Sequence, residues 1–237
     1  MKNKKHIFFD LDHTLWDFEK NSTEAIFDLF DFFKLNDKIP DFNKFIEDYQ
    51  QINKAYWHQY NLGEIDKKKV RYHRFIDIFK LYQLENHLDF AHTFADAYID
   101  LAPTKKNVFD DAHDVLDYLK TKFKLHIITN GFKEIQATKL STTNLDKYFD
   151  LILCSEEIGV NKPHPNVFNA ALYKTGAVQN ESVMIGDSFQ ADILGAHGVG
   201  IDAIFFNPKK EKIDLKIPEK SPELLEIHTL SELIKIF

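Results

Sequence analysis

Near its amino terminus the chain reads Ile7-Phe8-Phe9-Asp10-Leu11-Asp12-His13-Thr14, an apolar run that ends in two carboxylates. The apolar run has the length and composition of a short buried strand. Open α/β sheets place their chemistry at the carboxyl ends of the strands. Asp10 and Asp12 are therefore candidate functional residues, because one carboxylate can attack a substrate while the other moves protons.

Three further segments end in polar residues in a similar manner. They are Ile127-Ile128-Thr129-Asn130-Gly131, Asn161-Lys162-Pro163, and Met184-Ile185-Gly186-Asp187 with its continuation to Asp192. From Asp110 to Phe206, helical and strand patterns alternate along the chain. This alternation predicts a parallel, doubly wound sheet of the α/β class.

A long block separates Asp12 from Thr129, and its pattern is helical. Apolar residues recur at i, i+3, i+4 and i+7 after the candidate caps Asn21 and Ser22, and again near residues 42–49, 70–82 and 88–101. Four helices of this kind predict a small bundle inserted after the first strand. We expect a core domain of residues 1–15 and 104–237 and a helical domain of residues 16–103.

Composition limits the classes of function. A net charge of −7 argues against binding to nucleic-acid polymers or to anionic membranes, since both need a basic surface. The apolar run before Asp10 is too short for a signal peptide, which needs about 7–15 apolar residues, and no window approaches the roughly 18 of a membrane span. We therefore expect a cytoplasmic protein. The single cysteine, Cys154, ends an apolar run and is expected to be an inert core residue.

The acidic residues at the strand ends suit phosphoryl transfer. Asp10 can attack phosphorus once nearby charge is neutralised, and the resulting acyl phosphate hydrolyses easily. Asp12 can protonate the leaving alkoxide and later take a proton from water. Asp187 and Asp192 suit Mg²⁺, which prefers one or two carboxylates together with phosphate oxygens and water. The alternative for Asp187 is that it caps the following helix.

Neutral and basic residues are placed to bind the phosphate. Thr129, Asn130 and Gly131 precede a predicted helix, where a hydroxyl, free amides and the positive end of the helix dipole favour an anion. Lys162 supplies a compact positive charge against the phosphate and Asp10. A Lys-Pro pair alone is more often a surface turn, so this assignment depends on the other segments.

Together the four segments resemble the signature of the haloacid dehalogenase (HAD) superfamily in their order, their apolar lead-ins, the Lys-Pro pair and the GDxxxxD spacing. The resemblance extends from residue 6 to about residue 207. It implies a Rossmann-like core with an inserted helical-bundle cap of the C1 type. It also implies the Mg²⁺ ligands: the Asp10 carboxylate, the Asp12 backbone carbonyl and Asp187, with Asp192 in support.

Within the superfamily, residues 10–18 and the segment 56–65 resemble most closely the YjjG/YfnB-type pyrimidine 5′-nucleotidases, in which His replaces the more common Gly at position 13. This implies a Mg²⁺-dependent phosphatase that acts through an aspartyl phosphate on pyrimidine nucleoside monophosphates, including noncanonical ones. Trp16 and Phe18 lie close enough to the catalytic turn to stack on a nucleobase, and packing between cap and core is the equal alternative. For His13 we expect only the backbone amide to meet phosphate.

Other functions are compatible with parts of this pattern. A sugar-phosphate phosphatase or a phosphomutase would keep the same residues and differ only in the cap. A dehalogenase needs no acid at Asp12, because halide leaves without a proton. From another class, a receiver-like signalling protein would lack the helical insertion, and a catalytically silent phosphate-binding protein would usually lack an acid. We expect a monomer or a homodimer with a small phosphate monoester as its ligand.

Overall fold

A computed structural model describes Met1, residues 3–213 and residues 222–237. Within these ranges the chain forms two compact units. The first comprises Met1–Phe18 and Asn107–Phe237, and the second comprises Glu19–Lys106. No helix in the described ranges is both long enough and apolar enough to cross a membrane.

The first unit is built on a parallel sheet. Its strands in the described residues are β1 (His6–Phe9), β2 (Lys124–Thr129), β3 (Leu151–Cys154), β4 (Ser182–Gly186), β5 (Asp202–Phe206) and β6 (Leu224–Ile227). They lie in the order β3-β2-β1-β4-β5-β6, and each neighbouring pair is parallel. The strand order reverses between β1 and β4, and ligands bind at such a point in doubly wound sheets. This confirms the predicted α/β fold class.

The second unit is helical. Its described helices are α1 (Phe18–Phe32), α2 (Phe42–Asn61), α3 (Lys67–Leu81) and α4 (His87–Leu101). Aromatic rings fill its core, and Phe45, Phe75, Phe79 and Phe94 are completely buried. Because these residues follow the helical period predicted from the sequence, each helix directs one aromatic face inward.

The remaining helices belong to the first unit and cover the sheet. They are α5 (Ala112–Lys120), α6 (Lys133–Thr142), α7 (Pro165–Thr175), α8 (Gly195–Gly198), which follows a π-helical segment Phe189–Leu194, and α9 (Leu233–Ile236). Phe9 and Ile127 belong to one apolar cluster, whereas Phe8 and Ile128 belong to a second cluster. Neighbouring residues of a strand point to opposite faces, so both faces of the sheet are buried.

The division between the units differs from the predicted boundaries by three residues at each end. Trp16 forms an isolated antiparallel bridge with Val108. The amide of Asp17 donates to the carbonyl of Asn107 at 3.1 Å. These backbone contacts hold both crossing segments to the sheet unit, and the periodicity of the helices gave no sign of them.

Three local expectations were wrong or incomplete. Helix α1 begins at Phe18, so Asn21 and Ser22 lie inside it rather than at its start, and Ser22 accepts a hydrogen bond from the Tyr98 hydroxyl at 2.8 Å. Strand β6 was not predicted. The prolines and lysines of residues 207–222 also predict an exposed connection, of which residues 214–221 lie outside the described residues. Cys154 is buried as expected, and burial raises the pKa of its thiol to about 11.

Candidate active site

Asp10 and Asp187 lie at the point where the strand order reverses. Asp10 directly follows β1, and its amide donates to the carbonyl of Ile185 in β4 at 2.9 Å. Asp187 directly follows β4. Because the two strands are adjacent and parallel, both side chains lie at the carboxyl edge of the sheet.

Lys162 links the acidic residues. Its ammonium, only 2% exposed, donates to Asp10 Oδ1 at 2.7 Å, to Asp192 Oδ1 at 2.6 Å and to the carbonyl of Ile128 at 2.7 Å. These three bonds account for all three protons of an ammonium group. Lys162 is therefore fixed as a buried positive charge against Asp10. The Lys162–Pro163 peptide bond is cis.

The site has an excess of negative charge. Three carboxylates, those of Asp10, Asp187 and Asp192, face the single ammonium of Lys162. Burial raises the pKa of Asp10 and of Asp187 above the usual range, and repulsion from neighbouring carboxylates raises both further. Burial alone would lower the pKa of Lys162, but Asp10 and Asp192 raise it above its usual value. The cluster is thus short of positive charge.

The geometry of the carboxylates fits a divalent cation. Asp10, Asp187 and Asp192 each offer an oxygen, and these oxygens lie within 4.8 Å of one another. Mg²⁺ binds to such carboxylate oxygens and shares its remaining positions with phosphate oxygens and water. A divalent ion would also balance the charge that Lys162 leaves uncompensated. The residues therefore fit the predicted Mg²⁺ site.

Asp192 is completely buried and is held on both oxygens. One oxygen bonds Lys162, and the other accepts the amide of Ser188 at 3.0 Å. Gly186 makes this arrangement possible, because a Cβ on it would lie only 2.7 Å from the Cβ of Asp192. Asp192 therefore fixes the lysine as well as adding an oxygen to the cluster.

Thr14 orients Asp187. Its side chain is fully buried, and its hydroxyl oxygen accepts the Asp187 amide at 3.1 Å. The same hydroxyl lies 3.4 Å from Asp187 Oδ1. The partner of Thr14 is therefore the loop after β4, and this bond ties the turn after β1 to Asp187.

The segment after β2 differs from the expectation of open amides. The amide of Gly131 donates to Thr129 Oγ1 at 2.9 Å. The Asn130 side chain accepts the Lys162 amide at 2.9 Å and donates to the Lys162 carbonyl at 3.0 Å. The Asn130 side chain and the Gly131 amide thus bond within the protein, and the Asn130 side chain positions the backbone of Lys162.

Asp12 has a partner that the sequence did not indicate. Asp12 Oδ1 lies 2.6 Å from the ammonium of Lys139 on α6. That ammonium also lies 4.4 Å from the centre of the Trp16 ring. Lys139 is buried, although a lysine in a helix is normally read as solvated. The one clue in the sequence was that the helix carrying Lys139 starts soon after Thr129, a predicted phosphate-binding residue.

The residues that follow Asp12 also depart from expectation. His13 has φ of 63°, and its amide donates to the carbonyl of Trp16 at 2.9 Å rather than remaining open to phosphate. A left-handed backbone of this kind suits Gly better than His. Trp16 is 1% exposed and packs in the core, so its ring follows the packing alternative and not the stacking of a base. Phe18 is half-buried, with its ring 4.8 Å from that of His13.

The fold and the acidic site at the reversal of the strand order define a doubly wound α/β protein with a carboxylate cluster at the edge of its sheet. The chain matches the family of haloacid dehalogenase-like hydrolases over residues 4–200, and it belongs to that family.

Named relatives share most of its length. The chain is 32% identical to pyrimidine 5′-nucleotidase YjjG of Escherichia coli over 85% of each sequence. It is 31% identical to pyrimidine 5′-nucleotidase PynA of Streptococcus pneumoniae over 86% of this chain and 84% of that one. The crystal structure of the putative HAD-hydrolase YfnB from Bacillus subtilis, bound to magnesium, has a TM-score of 0.86, 28% identity and 99% coverage of both chains.

Proposed function

We propose that the chain is a Mg²⁺-dependent phosphatase that hydrolyses small phosphate monoesters through an aspartyl phosphate on Asp10. The observation that carries the proposal is the buried Asp10 carboxylate, bonded to Lys162 and grouped with Asp187 and Asp192. Its family and its nucleotidase relatives support the same chemistry.

In the first step, a carboxylate oxygen of Asp10 bonds to phosphorus while the ester oxygen leaves. The leaving oxygen takes the electron pair of the broken bond and a proton from Asp12. Lys162 holds positive charge beside Asp10, so the attacking carboxylate and the phosphate repel each other less. Thr129 is the candidate in the segment after β2 to contact a phosphate oxygen.

In the second step, a water molecule attacks the phosphorus of the aspartyl phosphate. Asp12, now a carboxylate, takes a proton from this water, and the bond between phosphorus and Asp10 breaks. Inorganic phosphate and the original Asp10 carboxylate result, with Asp12 protonated for the next cycle. The same residue thus serves as acid and then as base.

Asp10, Asp187 and the Asp12 backbone carbonyl would hold Mg²⁺, with Asp192 in support. When bound there, Mg²⁺ supplies positive charge against the phosphate oxygens and aligns the phosphate with the attacking oxygen. The excess negative charge of the carboxylate cluster is the property of this chain that favours a divalent ion. Orientation of Asp187 by Thr14 keeps one ligand in place.

We further propose that the substrates are pyrimidine nucleoside 5′-monophosphates, including modified ones, and that residues 19–106 act as a cap over the site. The support is the similarity to two pyrimidine 5′-nucleotidases over most of the chain. Phe18 is the aromatic residue that we propose for contact with the base, since Trp16 is in the core. A sugar-phosphate phosphatase or a phosphomutase is the alternative, because either would use the same acidic site.

The test is a hydrolysis screen of the purified protein. Inorganic phosphate release should be measured for uridine, thymidine and adenosine monophosphates, glucose 6-phosphate and p-nitrophenyl phosphate, with Mg²⁺ and with a chelator. We expect turnover that needs Mg²⁺ and is fastest for the pyrimidine nucleotides. If these are cleaved no faster than glucose 6-phosphate, the nucleotidase proposal fails but the phosphatase proposal stands.

Asp10→Asn tests the nucleophile. This variant should lose turnover of every ester while its circular dichroism spectrum and melting temperature stay close to those of the wild type. Asp110→Asn is the matched control, because Asp110 is an exposed aspartate of the same unit. Retained turnover in Asp10→Asn would exclude Asp10 as the attacking group.

A further inference from the structure

Lys139 is a buried, charged residue that takes no part in the two proposed chemical steps. Its side chain is 4% exposed, and its ammonium lies 2.6 Å from Asp12 Oδ1. Its charge is not needed by the acidic cluster, because Lys162 already bonds Asp10 and Asp192 there. Burying an unpaired ammonium costs free energy. The ion pair with Asp12 therefore stabilises Lys139 in its buried position.

Lys139 packs against a buried aromatic ring. The ammonium lies over the ring of Trp16, which is 1% exposed and belongs to the apolar core. Trp16 also closes the turn that carries Asp12, because its carbonyl accepts the His13 amide at 2.9 Å. Both side chains are buried, so each has little room to move. The ammonium therefore holds Asp12 Oδ1 in one place.

The second oxygen of Asp12 faces a different environment. A Cβ on Gly131 would lie 3.0 Å from Asp12 Oδ2 and would also meet the amide of Gln136. Because Gly131 has no Cβ, the Gln136 amide can pack beside Asp12, and the Asp12 side chain remains 19% exposed. An ammonium cannot accept a proton, so a carboxyl group bonded to it through Oδ1 carries its own proton on Oδ2.

We propose that Lys139 is a positioning residue for the acid-base steps: it fixes Asp12 Oδ1 so that Oδ2 exchanges the proton. In the first step Oδ2 gives its proton to the leaving oxygen as the ester bond breaks. In the second step Oδ2 takes a proton from the attacking water as the bond from phosphorus to Asp10 breaks. Lys139 keeps its three protons throughout. This inference rests on the proposed phosphatase function.

The proposal predicts a dependence on the leaving group. An alkoxide, as in a nucleotide or glucose 6-phosphate, needs a proton as it leaves, whereas p-nitrophenolate leaves without one. The quantity kcat/KM reports on the steps up to formation of the aspartyl phosphate. Lys139→Met should therefore lower kcat/KM for the best alkyl phosphate by about 10²-fold or more, the scale of general acid catalysis. For p-nitrophenyl phosphate we expect a change of about threefold or less, since that bond breaks without acid assistance.

Two further variants separate positioning from a merely structural role. Lys139→Arg keeps a cationic donor and should recover at least about tenfold of the lost alkyl-phosphate activity. Lys133→Met is the matched control, because Lys133 lies on the same helix with its side chain 61% exposed. It should leave both substrates unaffected. A loss in Lys139→Met that is equal for both substrates would overturn the proposal, as would no loss for either.

A double-mutant cycle keeps the test decisive if Lys139→Met is poorly stable. If Lys139 acts through Asp12, then Lys139→Arg or Lys139→Met in an Asp12→Asn background should not lower kcat/KM for the alkyl phosphate any further. Additive losses would show that Lys139 acts by another route. Wild-type protein that hydrolyses none of the esters in Mg²⁺ would instead refute the phosphatase function itself.

Discussion

Gly186→Ala should strongly destabilise the first unit. The new Cβ would lie 2.7 Å from the Cβ of Asp192 and would meet its carboxylate as well. Carbon atoms in contact prefer about 3.5–4.0 Å. The whole Asp192 side chain must therefore move, not only its flexible end. Asp192 has no room for this, because it is completely buried.

The magnitude follows from the two bonds that Asp192 makes. Its oxygens accept Lys162 Nζ at 2.6 Å and the Ser188 amide at 3.0 Å. A hydrogen bond to a charged group contributes about 1.5–3 kcal/mol to the free energy of unfolding, so loss of both costs about 3–6 kcal/mol. Loss of one partner from a buried ion pair costs a similar amount, about 3–5 kcal/mol.

Urea denaturation, followed by circular dichroism, measures this free energy. Gly198→Ala is the matched control, because a Cβ there meets no atom within 4 Å and the residue lies in α8. Gly198→Ala should be neutral or should stabilise by up to about 1 kcal/mol. If Gly186→Ala lies within about 0.5 kcal/mol of the wild type, the range of ordinary surface changes, then Asp192 is not held as we have argued.

Three further changes probe the metal, the cap and the core. Asp187→Asn should raise the Mg²⁺ concentration for half-maximal activity by about tenfold or more; an unchanged titration would remove Asp187 from the ligands. Hydrogen exchange near Asp17 and Pro103 should slow when Mg²⁺ and a phosphate mimic bind, if residues 19–106 close over the site; unchanged exchange would argue against closure. Burial, with a smaller effect of His6, lowers the pKa of His126 from 6.5 to about 4, so stability present above about pH 6.5 should be lost as the pH falls toward 4. His126→Gln should flatten this part of the pH dependence of the melting temperature, and an equally steep curve would contradict it.

The sequence was a good guide to the sheet and to the residues at its edge. Apolar runs that end in polar residues indicated the positions of β1, β2 and β4, because a strand that is buried on both faces must be almost entirely apolar. The same runs placed Asp10 and Asp187 at strand ends, and the resemblance to the HAD superfamily implied that they share a metal site. Strand β6 escaped notice, because its short segment is only partly apolar and only partly buried. An edge strand of this kind carries a weak signal.

The sequence was a poorer guide to which groups bond to which. Asn130 was expected to face phosphate, but its amide pairs with the backbone of Lys162, which is 32 positions away. His13 was expected to offer its amide to phosphate, but the left-handed turn directs that amide to Trp16. Both outcomes depend on backbone angles at single residues, and residue type limits those angles only loosely.

Lys139 shows why some functional residues are hard to find from a single sequence. Lys162 was recognised because a proline and an acidic signature accompany it, whereas Lys139 has only ordinary helical neighbours. Its burial is decided by an ion pair with Asp12, 127 positions earlier in the chain, and by the indole face of Trp16. Neither partner lies within the helix, so no periodic pattern can mark the residue. The Trp16 ring, which we expected to stack on a nucleobase, instead packs against the buried ammonium of Lys139. The core packing of Trp16 is therefore linked, through Lys139, to the orientation of Asp12.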